Sequence, residues 1–313
     1  MIAIHDTTLG PTIGGIGIAP YPDQGAAVDD CCRLARAMTL KAAIVGLDLG
    51  GGWSVIVGDP AVDRTEDRLR AHGRFIARLG GNFIPVNDVG TRQEDIAVIG
   101  RETSPVCDRG DPSPFTALGV VAAIRACLLA TDGHSDLSGI RVAIQGTGNV
   151  GSSLARLLAA EGADLIVADA DAGRAERVAR ELGARFVDPD AILSVSCDVL
   201  APCALGGVIN DRTLPGLACR FIAGGANEVL ARSDLADLLA ARGILYVPDF
   251  CANAGGLIFL RETLRDRDPV AVRERVMAVG ELVADVIDRS SIAGITTTAA
   301  ALGLAADRLA RVR

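Results

Sequence analysis

The hexapeptide Gly146-Thr147-Gly148-Asn149-Val150-Gly151 constrains the chain more than any other stretch, because of what flanks it. The strand-like run "RVAIQ" precedes it, the helix-like "SSLARLLAAEG" follows, and a second buried run, "LIVAD", ends on Asp169. A glycine triad alone is a common turn. Set between a strand and a helix, with a carboxylate 18 positions past the last glycine, it specifies a βαβ unit that holds a dinucleotide. Gly146 permits the tight turn, Gly148 lets pyrophosphate approach, and Gly151 lets helix and strand pack closely. Thr147, Asn149 and Val150 complete the loop, which presents the positive end of a helix dipole to phosphate. Asp169 is expected to accept hydrogen bonds from the adenosine ribose and to repel a 2′-phosphate, so NAD is expected rather than NADP. Asp171 is the rival ribose ligand.

From residue 138 onward strands alternate with helices, and "CDVLAP", "CRFIAGGAN" and "GILYVPDF" read as further buried parallel strands. Half the chain is hydrophobic but only 3% is aromatic, so the core is Ala, Val, Leu and Ile, which suits helices packed on a parallel sheet. Upstream, residues 24–38 read as an amphipathic helix, and "AAIVG" and "WSVIVG" as short strands around a Gly50–Gly52 turn. The proline-rich "CDRGDPSPF" reads as a linker entering a helix. The expected fold is α/β in two domains: an N-terminal α/β substrate and oligomerisation domain over 1–112 plus about 285–313, and a doubly wound Rossmann NAD domain over 113–284.

Composition removes several function classes. Net charge is −8 and no basic run occurs, which argues against a nucleic-acid or anionic-membrane partner. No uninterrupted apolar run approaches spanning length, and "MIAIHDTTLGPTIGG" lacks the charged start and apolar core of a signal peptide, so a cytoplasmic setting is expected. Eight cysteines form no CxxC pair and the three histidines are dispersed, so reduced thiols and no metal site are expected.

Of 31 basic residues, all but Lys41 are arginine. A compact ammonium does what a guanidinium fork does not, and its retention at one position suggests use. Lys41, the Gly50–Trp53 stretch and Asp88 are the candidates before the linker. After the fingerprint come Asn227 in "GGANEVL" and Asn253 in "CANAGG", each just past a predicted strand end, where open α/β sheets bind ligands.

"HDTTLGPTIGG", "MTLKAA", "GLDLGGGWSVIVGDP", "NDVGT", "DPSPFTALGV", "QGTGNVG", "CDVLAPCALGGVIND" and "PDFCANAGG" together resemble the amino-acid dehydrogenases acting on glutamate, leucine, phenylalanine and valine, above all the leucine/phenylalanine branch. The likeness is collinear over nearly the whole chain. It implies an active site in the cleft of a two-domain, homo-oligomeric enzyme that moves hydride between NAD and the α-carbon of an L-amino acid, giving an imine that water hydrolyses to a 2-oxo acid. The residue matching Lys41 then binds the substrate carboxylate, Asp88 shuttles protons, and Asn253 helps hold the substrate. Thr116 and Asn227, with Ala226 and Asn253 beside them, serve the cofactor's nicotinamide half. Ile13, Gly14, Gly15 and Val86 match the side-chain pocket, and apolar Ile13 suits an apolar substrate.

The resemblance also exposes departures. After the triple glycine the family carries a second lysine that activates water; here the residue is Trp53, whose indole has no basic nitrogen. The arginine usual near the N-terminal "GG" is Gly17, and the likeness begins past the family's first helix. Three readings follow. Trp53 redirects the chemistry toward amine or imine work on an apolar or modified amino acid, of the kind specialised metabolism uses. Alternatively the protein is a non-catalytic NAD-binding subunit. In the third reading Trp53 is core packing, another group is the base, and deamination is ordinary.

Overall fold

The computed structural model describes residues 1–312, which divide into two compact units. The first comprises Met1–Gly110, Leu260–Asp266 and the stretch from Ala305 on; the second comprises Asp111–Phe259 and Arg267–Leu304. The change of unit at Gly110/Asp111 compares with an expected 112/113. The expected return of 285–313 to the first unit is corrected: residues up to Leu304 stay with the second, and Leu260–Asp266 joins the first instead.

The first unit is built on β1 (Ile2–Asp6), β2 (Thr12–Ala19), β3 (Gly50–Val57) and β4 (Phe83–Asn87), in the order β1-β3-β2-β4. β1 runs antiparallel to β3, and the other pairs are parallel. The helix Gln24–Ile44 starts at Asp23, whose Oδ1 accepts the Ala26 N–H at 2.8 Å. Its buried residues Ala27, Cys31, Ala35, Thr39 and Ala43 recur every fourth position, a stripe of small side chains. The expected strand "AAIVG" instead lies mostly in the last turn of this helix. The expected glycine turn is also corrected, because Gly50–Gly52 open β3. A Cβ on Gly51 would stand 2.1 Å from the Thr39 nitrogen and 2.3 Å from the Ala35 oxygen. Glycine is what lets the helix backbone rest directly on the strand.

Alternation along β3 then divides its side chains. Trp53 and Val55 pack with Ala27, Cys31 and Ala35, whereas Ile56 joins Ile16, Ile18, Leu69, Ile76, Phe83, Ile96 and Ile99 in a second cluster. The second cluster draws on the helices Glu66–Ala77 and Gln93–Ile99. The sheet is therefore buried on both faces.

The second unit holds β5 (Arg141–Gln145), β6 (Asp164–Ala168), β7 (Arg185–Phe186), β8 (Val199–Pro202), β9 (Phe221–Ile222) and β10 (Leu245–Tyr246). All pairs are parallel, in the order β10-β9-β8-β5-β6-β7. That is the doubly wound order, with its switch point between β5 and β8, where such sheets bind ligands beyond the strand ends. The expectation is that no uninterrupted apolar run approaches spanning length, and Arg125 does interrupt the one candidate among the described residues. The helix Ser113–Asp132 is long and apolar enough by length and composition, but Val120, Val121, Ile124 and Leu128 bury it in this unit's core.

Candidate functional site

In the first unit the predicted residues converge on adjacent strands. Ile13, Gly14 and Gly15 lie on β2, where Gly15 pairs with Val86 of β4. Trp53 is 7% exposed and belongs to the apolar cluster beneath the helix Gln24–Ile44. Its six-membered ring nevertheless reaches the predicted group. A Cβ on Gly15 would lie 2.6 Å from Trp53 Cη2, 2.8 Å from Trp53 Cζ2 and 2.8 Å from Asp88 Cβ. The indole edge and Asp88 thus flank the same glycine. Any side chain there would displace one of them.

Asp88 follows the last residue of β4 and is positioned by its main chain: its N–H donates to Thr91 Oγ1 at 2.9 Å, and Thr91 Oγ1 donates to Ile16 O at 2.8 Å. Burial raises its carboxyl above the ordinary carboxylate range. The Val89 N–H and the Lys41 ammonium oppose that rise, while the Asp30 carboxylate reinforces it. Lys41 itself sits, partly buried, in the last turn of the helix Gln24–Ile44. A carboxyl shifted upward by burial, an ammonium and an apolar ring edge are the chemical groups gathered here. Together they can grip a carboxylate and hand over a proton.

In the second unit, the loop between β5 and the helix Asn149–Ala160 is shaped as the fingerprint requires. Gly146 has φ +92°, and a Cβ on Gly151 would lie 1.9 Å from Gly146 O. Gly148 faces open space, with Arg174 Nη1 the nearest atom at 4.0 Å from where its Cβ would be. No side chain among the described residues caps that helix, so its first N–H groups remain available to an anion.

Asp169 Oδ2 accepts the Thr147 N–H at 2.7 Å, and Oδ1 accepts the Asp171 N–H at 2.9 Å. Desolvation raises its pKa, but those bonds and Arg174, 3.5 Å away, win and hold it below the usual range. Asp171 is otherwise engaged. It caps the helix Ala172–Leu182 by accepting the Arg174 N–H at 3.0 Å.

The remaining predicted residues split into two places. Asn253 Nδ2 donates to Ala226 O at 3.1 Å and to Asn227 Oδ1 at 2.8 Å, so Ala226, Asn227 and Asn253 form one cluster. Asn253 is buried, and its Oδ1 has no hydrogen-bond partner among the described residues. A buried carbonyl oxygen left without a donor is costly unless a ligand supplies one, and a carboxamide does so. Thr116 lies in the first turn of the helix Ser113–Asp132, its hydroxyl donating to Pro112 O at 3.2 Å beside Gly256. Open phosphate loop, ordered carboxylate and orphaned oxygen all fit a dinucleotide.

Two residues were not singled out from the sequence. Thr91 fixes the Asp88 main chain, a turn readable in retrospect from "DVGT". Arg174 bridges Asp169 and Asp171 at 3.5 Å each, and in so arginine-rich a chain nothing marked it.

Comparison with known proteins finds family models and relatives that match nearly the whole chain. Residues 1–105 match the Glu/Leu/Phe/Val dehydrogenase dimerisation domain, and residues 111–174 and 168–261 match the Glutamate/Leucine/Phenylalanine/Valine dehydrogenase family. A leucine dehydrogenase of Bacillus subtilis (strain 168) is 43% identical over 320 residues, covering 100% of this chain and 88% of the relative. An L-tryptophan dehydrogenase of Nostoc punctiforme is 41% identical over 314 residues, covering 99% and 89%. The crystal structure of L-tryptophan dehydrogenase from Nostoc punctiforme matches with a TM-score of 0.88 over 99% of this chain and 92% of that one. Hetero-hexameric glutamate dehydrogenase from Thermus thermophilus, in its Leu bound form, matches at 25% identity with a TM-score of 0.83, over 100% and 83%.

Proposed function

The chain belongs to the Glu/Leu/Phe/Val dehydrogenase family and is an NAD-dependent oxidoreductase, and from that premise we propose that it acts on the C–N bond of an apolar L-amino acid or its imine. Lys41 binds the substrate carboxylate and Asp88 carries the proton. Ile13, Gly14, Gly15 and Val86 wall the side chain, and Asn253 steadies the substrate. Thr147, Asn149 and Val150, with the three loop glycines, hold pyrophosphate, and Asp169 holds the ribose. Thr116, Ala226, Asn227 and Asn253 hold the carboxamide half. When bound, the cofactor accepts or returns a hydride. The assembly is a homo-oligomer formed through the first unit, and eight free cysteines fit a cytoplasmic setting.

The finer proposal concerns Trp53. It takes the position of the family's water-activating lysine, so hydrolysis of the imine is the step that suffers while hydride and proton transfer remain. The observation that supports this is the shared contact at Gly15, where an indole edge rather than an amine stands beside Asp88. General base catalysis contributes typically about 10²–10⁴-fold, so deamination is expected to fall by that order. A second reading, ordinary deamination, is favoured by relatives named leucine and L-tryptophan dehydrogenase at 41–43% identity. Reduced-nicotinamide absorbance with NAD and leucine, valine, phenylalanine or tryptophan separates them. Brisk turnover by the natural chain supports ordinary deamination. Silence that Trp53→Lys relieves, with NAD still bound, supports the finer proposal.

A further inference from the structure

Resting on the reading of Trp53 just given, we infer that the first unit is built for a ring-closed 2-imino acid and the cyclic secondary amine acid it becomes. Three observations carry this. The ring edge of Trp53, Cη2 and Cζ2, lies against the same glycine as Asp88, so the wall beside the proton carrier is flat and apolar. The charged groups that act on Asp88 are Lys41, an ammonium suited to a carboxylate, and the Asp30 carboxylate, whose Oδ2 already accepts the Tyr21 hydroxyl at 2.6 Å. Asp88 is itself buried enough to hold its proton above the ordinary carboxylate range.

An open-chain imine hydrolyses readily and must be made from ammonia and an oxo acid where it is used, with water expelled. A ring-closed imine keeps its nitrogen tethered and needs neither water nor ammonia handled by the protein. Its reduction balances with what this chain provides. The C=N π bond breaks, the ring carbon gains a hydride from reduced nicotinamide, and the nitrogen gains the Asp88 proton. Asp88 then regains a proton from solvent. The saturated ring lies along the indole edge, with its carboxylate toward Lys41.

Trp53 is the only tryptophan, so its emission reports ligands at this spot without turnover. Emission is titrated with L-pipecolate and with L-leucine, each with and without NAD. In parallel, reduced NAD consumption is followed with 1-piperideine-2-carboxylate, and with 4-methyl-2-oxopentanoate plus ammonia. The expected result is quenching by L-pipecolate at concentrations about tenfold lower than by L-leucine, and a kcat/KM about 100-fold higher for the cyclic imine. Asp88→Asn should cut that turnover about 100-fold while quenching persists.

Equal or better use of the oxo acid and ammonia would overturn the inference and leave the dehydrogenase reading standing. So would NAD binding without turnover of either substrate, or undiminished turnover by Asp88→Asn. Failure to bind NAD at all would overturn both.

Discussion

Gly15 carries the tightest local requirement in the first unit. A methyl at this position would sit 2.6 Å from the indole and 2.8 Å from Asp88 Cβ, so Gly15→Ala must push one away. We expect a destabilisation of about 1–3 kcal/mol and, because the displaced groups are those proposed to work, a loss of activity larger than that stability change explains. Urea melts and kinetics on the same preparation check it. On the opposite face of β3, His72 Nε2 meets Ser54 Oγ at 2.6 Å. Burial, and the positive N-terminus beside it, lower the imidazole from 6.5 to about 4. The unfolded chain therefore binds a proton that the folded one refuses between those values. Stability is expected to fall as pH drops from 6.5 to 4, by about 3 kcal/mol from this group. Urea melts at stepped pH should show that slope, and His72→Gln should flatten it.

At the level of elements, the contact between the helix Gln24–Ile44 and β3 depends on an absent side chain. Gly51→Ala would set a carbon 2.1 Å from a helix nitrogen, and since main chain cannot yield as a side-chain tip does, we expect a loss of about 3 kcal/mol or more in urea unfolding. The same contact explains which parts of the molecule were legible in advance. The Gly146–Gly151 loop could be read because the strand, turn and helix that give it meaning are adjacent in the chain. Gly50–Gly52 was misread as a turn because its reason lies elsewhere, in Ala35 and Thr39 of a helix that the sequence gives no means of placing on it. Thr91 and Arg174 escaped for a different reason: their partners Asp88, Asp169 and Asp171 lie only three to five residues away, and such short polar spacings are too common to mark a site. For Asp169 the loop predicts a functional outcome. Asp169→Ala removes the acceptor held by Thr147 and leaves Arg174 near the loop, so the preference for NAD over NADP should narrow about tenfold in Kd.

Across the whole molecule, each unit has its own sheet and core, and the first draws in two segments from the far end of the chain. Arg261 donates to Asp48 Oδ2 at 3.0 Å, and Arg308 donates to Leu47 O at 3.1 Å. Hydrogen exchange should accordingly give amides in 260–266 and 305–312 the protection pattern of β2 and β3, and amides in 267–304 that of β5 and β8. Periodicity marked the late helices but not their allegiance, because an apolar stripe does not say which core receives it.

The single lysine sets one more property of the chain as a whole. With arginine at every other Lys/Arg position, reagents that acylate, carbamoylate or glycate ε-amines meet one such group, whose charge acts on the Asp88 carboxyl. Wear on ε-amines that other proteins spread over many surface sites would here fall on the proposed carboxylate anchor alone, so loss of function should advance in step with labelling of that one side chain.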